Sequence, residues 1–200
     1  MTYRAAKRCL DVLLAFIALL LLAPVLATIA LCVWLGDPEA PVIFRQSRCG
    51  LGGRRFDLLK FRTMVRDADA RKESLRARSV VAWPDFRVAD DPRVTPLGRV
   101  LRTTSLDELP QLVNVLRGDM SLVGPRPTSF DASTYALWQT ARLEFRPGIT
   151  GPWQVEGRCS MDFTERCRLE ISFFRRRSLA RELWILLRTA RCVVRRTGVA

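Results

Sequence analysis

From Val12 to Leu35 the chain runs for 24 residues without a charge, Thr28 being the most polar among them. A helix of that length can cross the ~30 Å hydrocarbon core of a bilayer, so the run limits the chain to folds that place it in lipid. A cleaved leader fits poorly, because the apolar stretch is too long and no small-x-small site follows it. Two readings stay open: a plain spanning helix, and a re-entrant hairpin that enters the bilayer and leaves on the same side. Pro24 favours the second. It removes the hydrogen bond to the Leu20 carbonyl and divides the run into arms 12–23 and 24–35, each about 18 Å long. Charge points the same way. Arg4, Lys7 and Arg8 favour a cytoplasmic N-terminus, and the body after the run carries 30 basic and 19 acidic residues. A spanning helix would push that basic body across the membrane, whereas a hairpin keeps both flanks on one side.

The whole chain has 200 residues, a length that suits one domain with a real core. Its 33 Lys+Arg exceed its 20 Asp+Glu by 13, and all but Lys7, Lys60 and Lys72 of the basic residues are arginine. Such a balance asks for an anionic partner: nucleic acid, a phosphate-bearing substrate or an acidic membrane surface. The absence of histidine excludes an imidazole general base, a Ser-His-Asp or Cys-His device and any zinc site that uses histidine. The six cysteines are scattered without a C-x-x-C pair, which suits a reducing compartment better than a disulfide framework.

Residues 1–36 form the membrane segment with its basic flank, and 37–200 read as a cytoplasm-facing domain. Pro41 to Arg62 predicts a β-hairpin, with Gly50, Gly52 and Gly53 as turn residues rather than a phosphate loop, since no G-K-[ST] follows. Val65 to Arg78 predicts at most a solvated helix, Asp90 to Thr95 a turn, and Tyr135 to Phe145 a helical period. Glu182 to Arg196 sets Trp184, Leu187, Cys192 and Val194 among Arg188, Arg191, Arg195 and Arg196. That pattern predicts either an interfacial amphipathic helix or a core helix with a basic edge.

Ser105-Leu106-Asp107-Glu108 has the form of a capping box. Pro110 then makes the first turn irregular, or moves the start of the helix proper to about Pro110. Either way the acidic pair is expected at a helix N-terminus, which favours ionised carboxylates. The bland reading is that the pair merely caps the helix. Arg99 and Arg102 precede it, however, and the rigid Gly124-Pro125-Arg126-Pro127 follows the helix. Carboxylates among arginines on stiff turns suit a site for a divalent metal and a diphosphate. Mg²⁺ takes one or two protein carboxylates and completes its shell with phosphate oxygens and water. With histidine absent, a carboxylate nucleophile is the credible route to covalent phosphoryl transfer.

Four segments then carry a resemblance: "KRCLDVLLAFIALLLLAPVL", "VIFRQSRCGLGGRRFDLLKFRTM", "DPRVTPLGRVLRTTSLDELPQLVNVLRGDMSLVGPRP" and "RPGITGPWQVEGR". In this order they resemble the bacterial sugar transferases called monotopic phosphoglycosyl transferases, over nearly the whole chain. The resemblance implies an α/β, mainly helical fold: a re-entrant membrane helix-break-helix at Pro24, a small catalytic domain with a short β-hairpin, and interfacial amphipathic helices. It implies transfer of a sugar-1-phosphate from a UDP-sugar to undecaprenyl phosphate with release of UMP, the first membrane step of a surface glycan such as exopolysaccharide, capsule or lipopolysaccharide. Asp107 matches the family's nucleophile and metal-binding position, Glu108 the second member of its dyad, and Mg²⁺ is the family's metal. Lys60, Arg102, Arg126 and Arg158 match its basic positions and are assigned to phosphate binding. The implied location is the bacterial inner membrane with the site on the cytoplasmic face. Anionic lipids are expected partners, no nucleic acid is expected, and a homodimer is compatible with the sequence.

Departures from the family pattern are Ala23 where serine is frequent before the proline, "GPWQVEG" for G-W-A-Q-V-N-G, and Glu170 where aspartate is usual. The chain is expected to be the catalytic core alone, without the added helices and soluble domain of longer relatives. The rival expectation is a non-catalytic, membrane-anchored basic module binding nucleic acid or acidic lipid. The two part at Asp107.

Overall fold

The computed structural model describes residues 3–79, 86, 88–156 and 161–195. The apolar run forms most of one helix, α1 (Tyr3–Gly36), about 51 Å long at ~1.5 Å per residue. Pro24 lies inside it, so the two arms expected on either side of the proline belong to a single assigned element. Thr28 Oγ1 donates to the Pro24 carbonyl at 2.9 Å, a back-bond of the kind that bends helices.

One stripe of α1 packs on the rest of the chain. Asp11, Ala15, Ile29 and Val33 are buried, and Leu14, Ala18, Leu19, Leu26 and Ala30 are half-buried between them. These positions recur at the three- and four-residue intervals of a helical face. The opposite faces expose Leu13, Phe16, Leu20, Leu21, Leu31 and Leu35.

The expected hairpin is present. Strands β1 (Ile43–Cys49) and β2 (Arg55–Phe61) pair antiparallel from Ile43 opposite Phe61 to Cys49 opposite Arg55. The turn between them carries Gly52 and Gly53 at φ 63° and 80°, conformations that only glycine adopts cheaply. A polar connection follows, with a 3₁₀ turn at Glu73–Arg78 rather than a solvated α-helix. Helix α2 (Pro96–Thr103) begins with Pro96 in its first turn and Thr95 as cap, its side chain accepting from the Gly98 amide. After the short helix α3 (Gln111–Arg117), strand β3 (Ser121–Val123) pairs in parallel with β4 (Gly148–Thr150). The stretch between these strands, expected to be helical, is a 3₁₀ run at Leu137–Glu144. Helices α4 (Pro152–Val155), α5 (Phe163–Arg175) and α6 (Leu179–Arg195) complete the fold.

Two apolar clusters hold these parts together, and α1 contributes to both. The larger joins Ala15 to Leu58, Leu112, Val115, Met120, Leu122, Phe174 and Ile185. The smaller joins Ile29 and Val33 to Phe61 and Leu101. Polar ties reinforce the N-terminal contact. Lys7 bridges Asp11 (2.6 Å) and Glu182 (2.7 Å), Asp11 accepts from Ser121 Oγ and the Leu122 amide, and the Tyr3 hydroxyl donates to Glu182. Arg8 donates to the carbonyls of Val115 and Leu116, satisfying groups at the C-terminal end of α3.

Helix α6 combines both readings of its sequence. Glu182 and Ile185 are buried, whereas Leu183, Trp184 and Leu187 are exposed beside Arg181, Arg188 and Arg191. Arg188 lies 4.4 Å over the Trp184 ring, so the helix offers an apolar face edged by guanidinium groups. Cys192, one of the apolar residues of this helix, is half-buried against the larger cluster.

Candidate active site

The acidic pair sits on a 3₁₀ turn, Leu106–Glu108, in front of α3. Ser105 is not a cap. Its backbone is left-handed (φ 57°) and its side chain makes no capping bond, which corrects the capping-box expectation. Pro110 instead occupies the cap position of α3, the alternative its ring predicts. The turn is clamped from both sides, since Leu106 packs on the Ile29–Val33 cluster and Leu109 on the larger one. The apolar helix α1 thus supports the acidic turn directly.

Lys60 reaches the turn from β2. Its Nζ lies 2.7 Å from Glu108 Oε1 and 3.8 Å from Asp107 Oδ2. Buried Asn114 fixes this approach: its Oδ1 accepts from the Leu59 amide and its Nδ2 donates to the Asp57 carbonyl. Asn114 therefore ties α3 to the strand that carries Lys60. Arg126 approaches from the other side, its Nη2 3.3 Å from Glu108 Oε1.

Arg126 is itself held by its backbone. Glu170 Oε1 accepts the Arg126 amide at 2.9 Å, and Arg142 donates to the Arg126 carbonyl at 2.7 Å. Arg142 also binds Glu170 Oε2 through Nε and Nη2, at 3.0 and 2.6 Å, and both partners are buried. Glycine makes the frame around Arg126 possible. A Cβ on Gly148 would stand 2.0 Å from the Gly124 nitrogen, so β3 and β4 close only because both positions lack one.

The two carboxylates have opposite electrostatics. Burial pushes the Asp107 carboxyl above the usual aspartate range and the Glu108 charge adds to this, against the pull of Lys60, Arg102 and Arg126. Burial would also raise Glu108, but Lys60 and Arg126, as charges and hydrogen-bond donors, bring it down to about 2. The expectation that a helix N-terminus would favour ionisation of both thus fails at Asp107, where desolvation wins. Among the described residues Asp107 accepts no hydrogen bond, and no cation stands closer to it than Lys60 at 3.8 Å.

Of the residues singled out from sequence, Lys60, Asp107, Glu108 and Arg126 meet in one place. Arg102 stands behind them. Its charge acts on Asp107 while its Nε donates to Thr63 Oγ1 at 2.9 Å. Pro24 lies in α1, and Arg158 falls outside the described residues. Glu170, the departure from the family's usual aspartate, fixes the Arg126 backbone. Sequence reading passed over Asn114 and Arg142. The signal for Asn114 was a polar residue of weak helix propensity inside an apolar helical stretch.

For a metal, the described residues hold no group of three or more acidic or thiol side chains. With Glu108 engaged by two cations, Asp107 is the open protein oxygen donor. That suits Mg²⁺, which accepts one protein carboxylate with phosphate and water, better than a metal needing a full protein cage. A cavity of about 50 Å³ lies beyond Arg126, lined by Arg48, Arg142, Arg166, Trp153 and Phe163 among others.

A family model described as bacterial sugar transferase matches residues 2–196. A galactosyl transferase, CpsE, of Streptococcus agalactiae is 42% identical over 195 residues, covering 96% of this chain and 43% of its own length. An undecaprenyl-phosphate galactose phosphotransferase of Salmonella typhimurium is 38% identical over 200 residues, covering 98% and 42%. A UDP-glucose:undecaprenyl-phosphate glucose-1-phosphate transferase of Caulobacter vibrioides is 44% identical over 194 residues, covering 92% and 67%. The chain spans less than half the length of the first two relatives.

Proposed function

The chain belongs to the bacterial sugar transferase family, and from that premise we propose that it moves a sugar-1-phosphate from a UDP-sugar to undecaprenyl phosphate. The observation that carries the chemistry is the Asp107 carboxyl, buried and accepting no hydrogen bond among the described residues, with Lys60, Arg102 and Arg126 acting on it as charges. A carboxylate stripped of hydrogen bonds is a better nucleophile than one saturated by donors.

In the first step a carboxylate oxygen of Asp107 attacks the β-phosphorus of the donor. The new O–P bond forms as the bond from that phosphorus to the bridging oxygen breaks, and UMP leaves with the electron pair. In the second step a phosphate oxygen of the acceptor attacks the same phosphorus and frees Asp107. Both steps need positioned charge more than proton transfer, which explains how a site without histidine can suffice. Lys60 and Arg126 neutralise the phosphoryl oxygens, Glu108 keeps both cations in place, and Arg102 adds positive field behind the pair. Mg²⁺, held through Asp107 and the donor diphosphate, would supply further charge neutralisation. The arginine-lined cavity beyond Arg126 supports approach of the donor from that side.

The same reading places the chain at the inner membrane, with the site facing the cytoplasm and α1 re-entrant. Both ends of α1 touch the body that carries the site: Lys7 and Asp11 at one end, Ile29 and Val33 at the other. A helix crossing the bilayer would leave one of those ends on the far side. Arginine-edged α6 and the exposed apolar faces of α1 are suited to lie against anionic headgroups and acyl chains. Labels placed before residue 12 and after residue 35 should both report the cytoplasm. A periplasmic signal from either position contradicts the re-entrant arrangement.

The reaction is tested by incubating the full chain with UDP-sugar and undecaprenyl phosphate and measuring UMP. The wild type should release UMP in step with formation of the lipid product, and Asp107→Asn should release none while still binding membranes. Undiminished turnover by Asp107→Asn would refute the nucleophile assignment.

A further inference from the structure

We propose that the apolar groove between α3 and α6 holds the hydrocarbon chain of the acceptor lipid next to its phosphate, an inference that rests on the transfer reaction proposed above. The groove encloses about 220 Å³ and is lined by Leu109, Leu112, Ile149, Val155, Cys192 and Val193. Ser105 and Glu108 line it too, so it is continuous with the turn that carries the acidic pair. Its far wall is α6, which contributes Thr189, Cys192 and Val193, whereas the exposed Leu183, Trp184 and Leu187 lie on the opposite face of that helix.

This pairing of surfaces selects the occupant. Lys60 and Arg126 stand at Glu108, where the groove meets the site, and an apolar trough leads away from them. An anionic head with a hydrocarbon chain matches both ends, whereas a nucleotide or a free phosphate matches only one. The two threonine hydroxyls in the wall are already satisfied, Thr150 and Thr189 bonding each other at 2.7 Å and Thr189 also donating to the Ile185 carbonyl. They therefore ask nothing of a ligand. One polar atom argues for a competitor: Gln154 Oε1 is buried without a hydrogen-bond partner among the described residues and could accept a bond from a donor sugar.

Two measurements on the full chain in detergent micelles test the assignment. In the first, N-ethylmaleimide alkylation of Cys192 is followed by peptide mass mapping, with exposed Cys9, which precedes the apolar run, as internal reference. Farnesyl phosphate should slow alkylation of Cys192 severalfold and leave Cys9 unchanged, while inorganic phosphate protects neither. In the second, Val193→Trp fills the groove from a position that is 41% exposed and so tolerates bulk. It should raise the KM for the polyprenyl phosphate acceptor roughly tenfold, the loss expected for excluding a few buried methylene groups, and leave the donor KM unchanged. Ala190→Trp, on exposed α6 outside the groove, should change neither.

An unchanged acceptor KM in Val193→Trp overturns the proposal, and so does a rise in donor KM alone, which would place the sugar there. Equal protection of Cys192 by dioleoyl phosphatidylglycerol also overturns it, because the groove would then be a general acyl site. If Val193→Trp does not fold, protection in the wild type decides. Protection by farnesyl phosphate without any UMP release from the wild type would retain the groove and remove the transferase reading instead.

Discussion

Two carboxylate sites in this molecule use the same residue types to opposite ends. At Glu170 every oxygen is spent: Arg142 binds one, the Arg126 amide binds the other, and the group is sealed from solvent. At Asp107 the carboxyl is nearly as buried, yet among the described residues it accepts no hydrogen bond and its nearest cation is 3.8 Å away. The first arrangement satisfies its charge within the protein. The second leaves charge and lone pairs for something outside it. Burial alone therefore does not separate a structural carboxylate from a reactive one; the number of donors already committed to it does.

Exchanging the charged oxygen for an amide at each site should give contrasting phenotypes. Asp107→Asn should release no measurable UMP, a loss of at least about 10³-fold in turnover, because the proposed nucleophile is gone. Its melting temperature should not fall, since a neutral amide relieves the desolvation cost that raises the Asp107 carboxyl. Glu170→Gln reverses the pattern. It strands the Arg142 charge in the interior and should cost about 3 kcal/mol of stability, read as a lower melting temperature, with activity lost only as Arg126 loosens. If both variants melted alike, the distinction between the two sites would fail.

Lys60→Met probes the boundary between them. Lys60 touches both members of the acidic pair and should be worth about 10²-fold in turnover, through lost charge neutralisation. The smallest effect is on acid stability. Glu108, held down to about 2, contributes stability that is complete above the ordinary carboxylate range near 4.5 and is lost as pH falls toward 2. Asp107, raised, works in the opposite direction, since folding favours its protonated form. Melting curves from pH 7 to pH 2 should therefore fall less steeply for Glu108→Gln than for the wild type, and more steeply for Asp107→Asn.

Local sequence rules located the pieces of this site more readily than its supports. The hairpin follows from two apolar runs about a glycine turn, and Lys60, opposite Phe44 near the end of β2, meets the acidic turn. The acidic pair was recognisable as a cluster among arginines. Its local geometry was not, because a capping box presumes an extended Ser105 and this serine is left-handed. The sign of the Asp107 shift was also hidden, since it depends on burial by segments far away in the chain. Distance in sequence conceals the remaining supports. Asn114 meets β2 across 55 residues, and Glu170 meets Arg126 across 44. No spacing rule connects such pairs, and only the packing of α1, α3 and α5 brings them together. The resemblance to known transferases named Arg126 without explaining what holds it. Glu170 and Arg142 supply that explanation.

If Asp107 is the nucleophile, its open carboxyl becomes covalently phosphorylated by the donor. Intact-mass spectrometry of the full chain, mixed with UDP-sugar and Mg²⁺ but no acceptor lipid, measures this directly. The expected result is a mass increase equal to one phosphoryl sugar, located to Asp107 by peptide mapping, absent in Asp107→Asn and discharged when undecaprenyl phosphate is added. Lipid product formed at full rate by a chain that never gains that mass would contradict it.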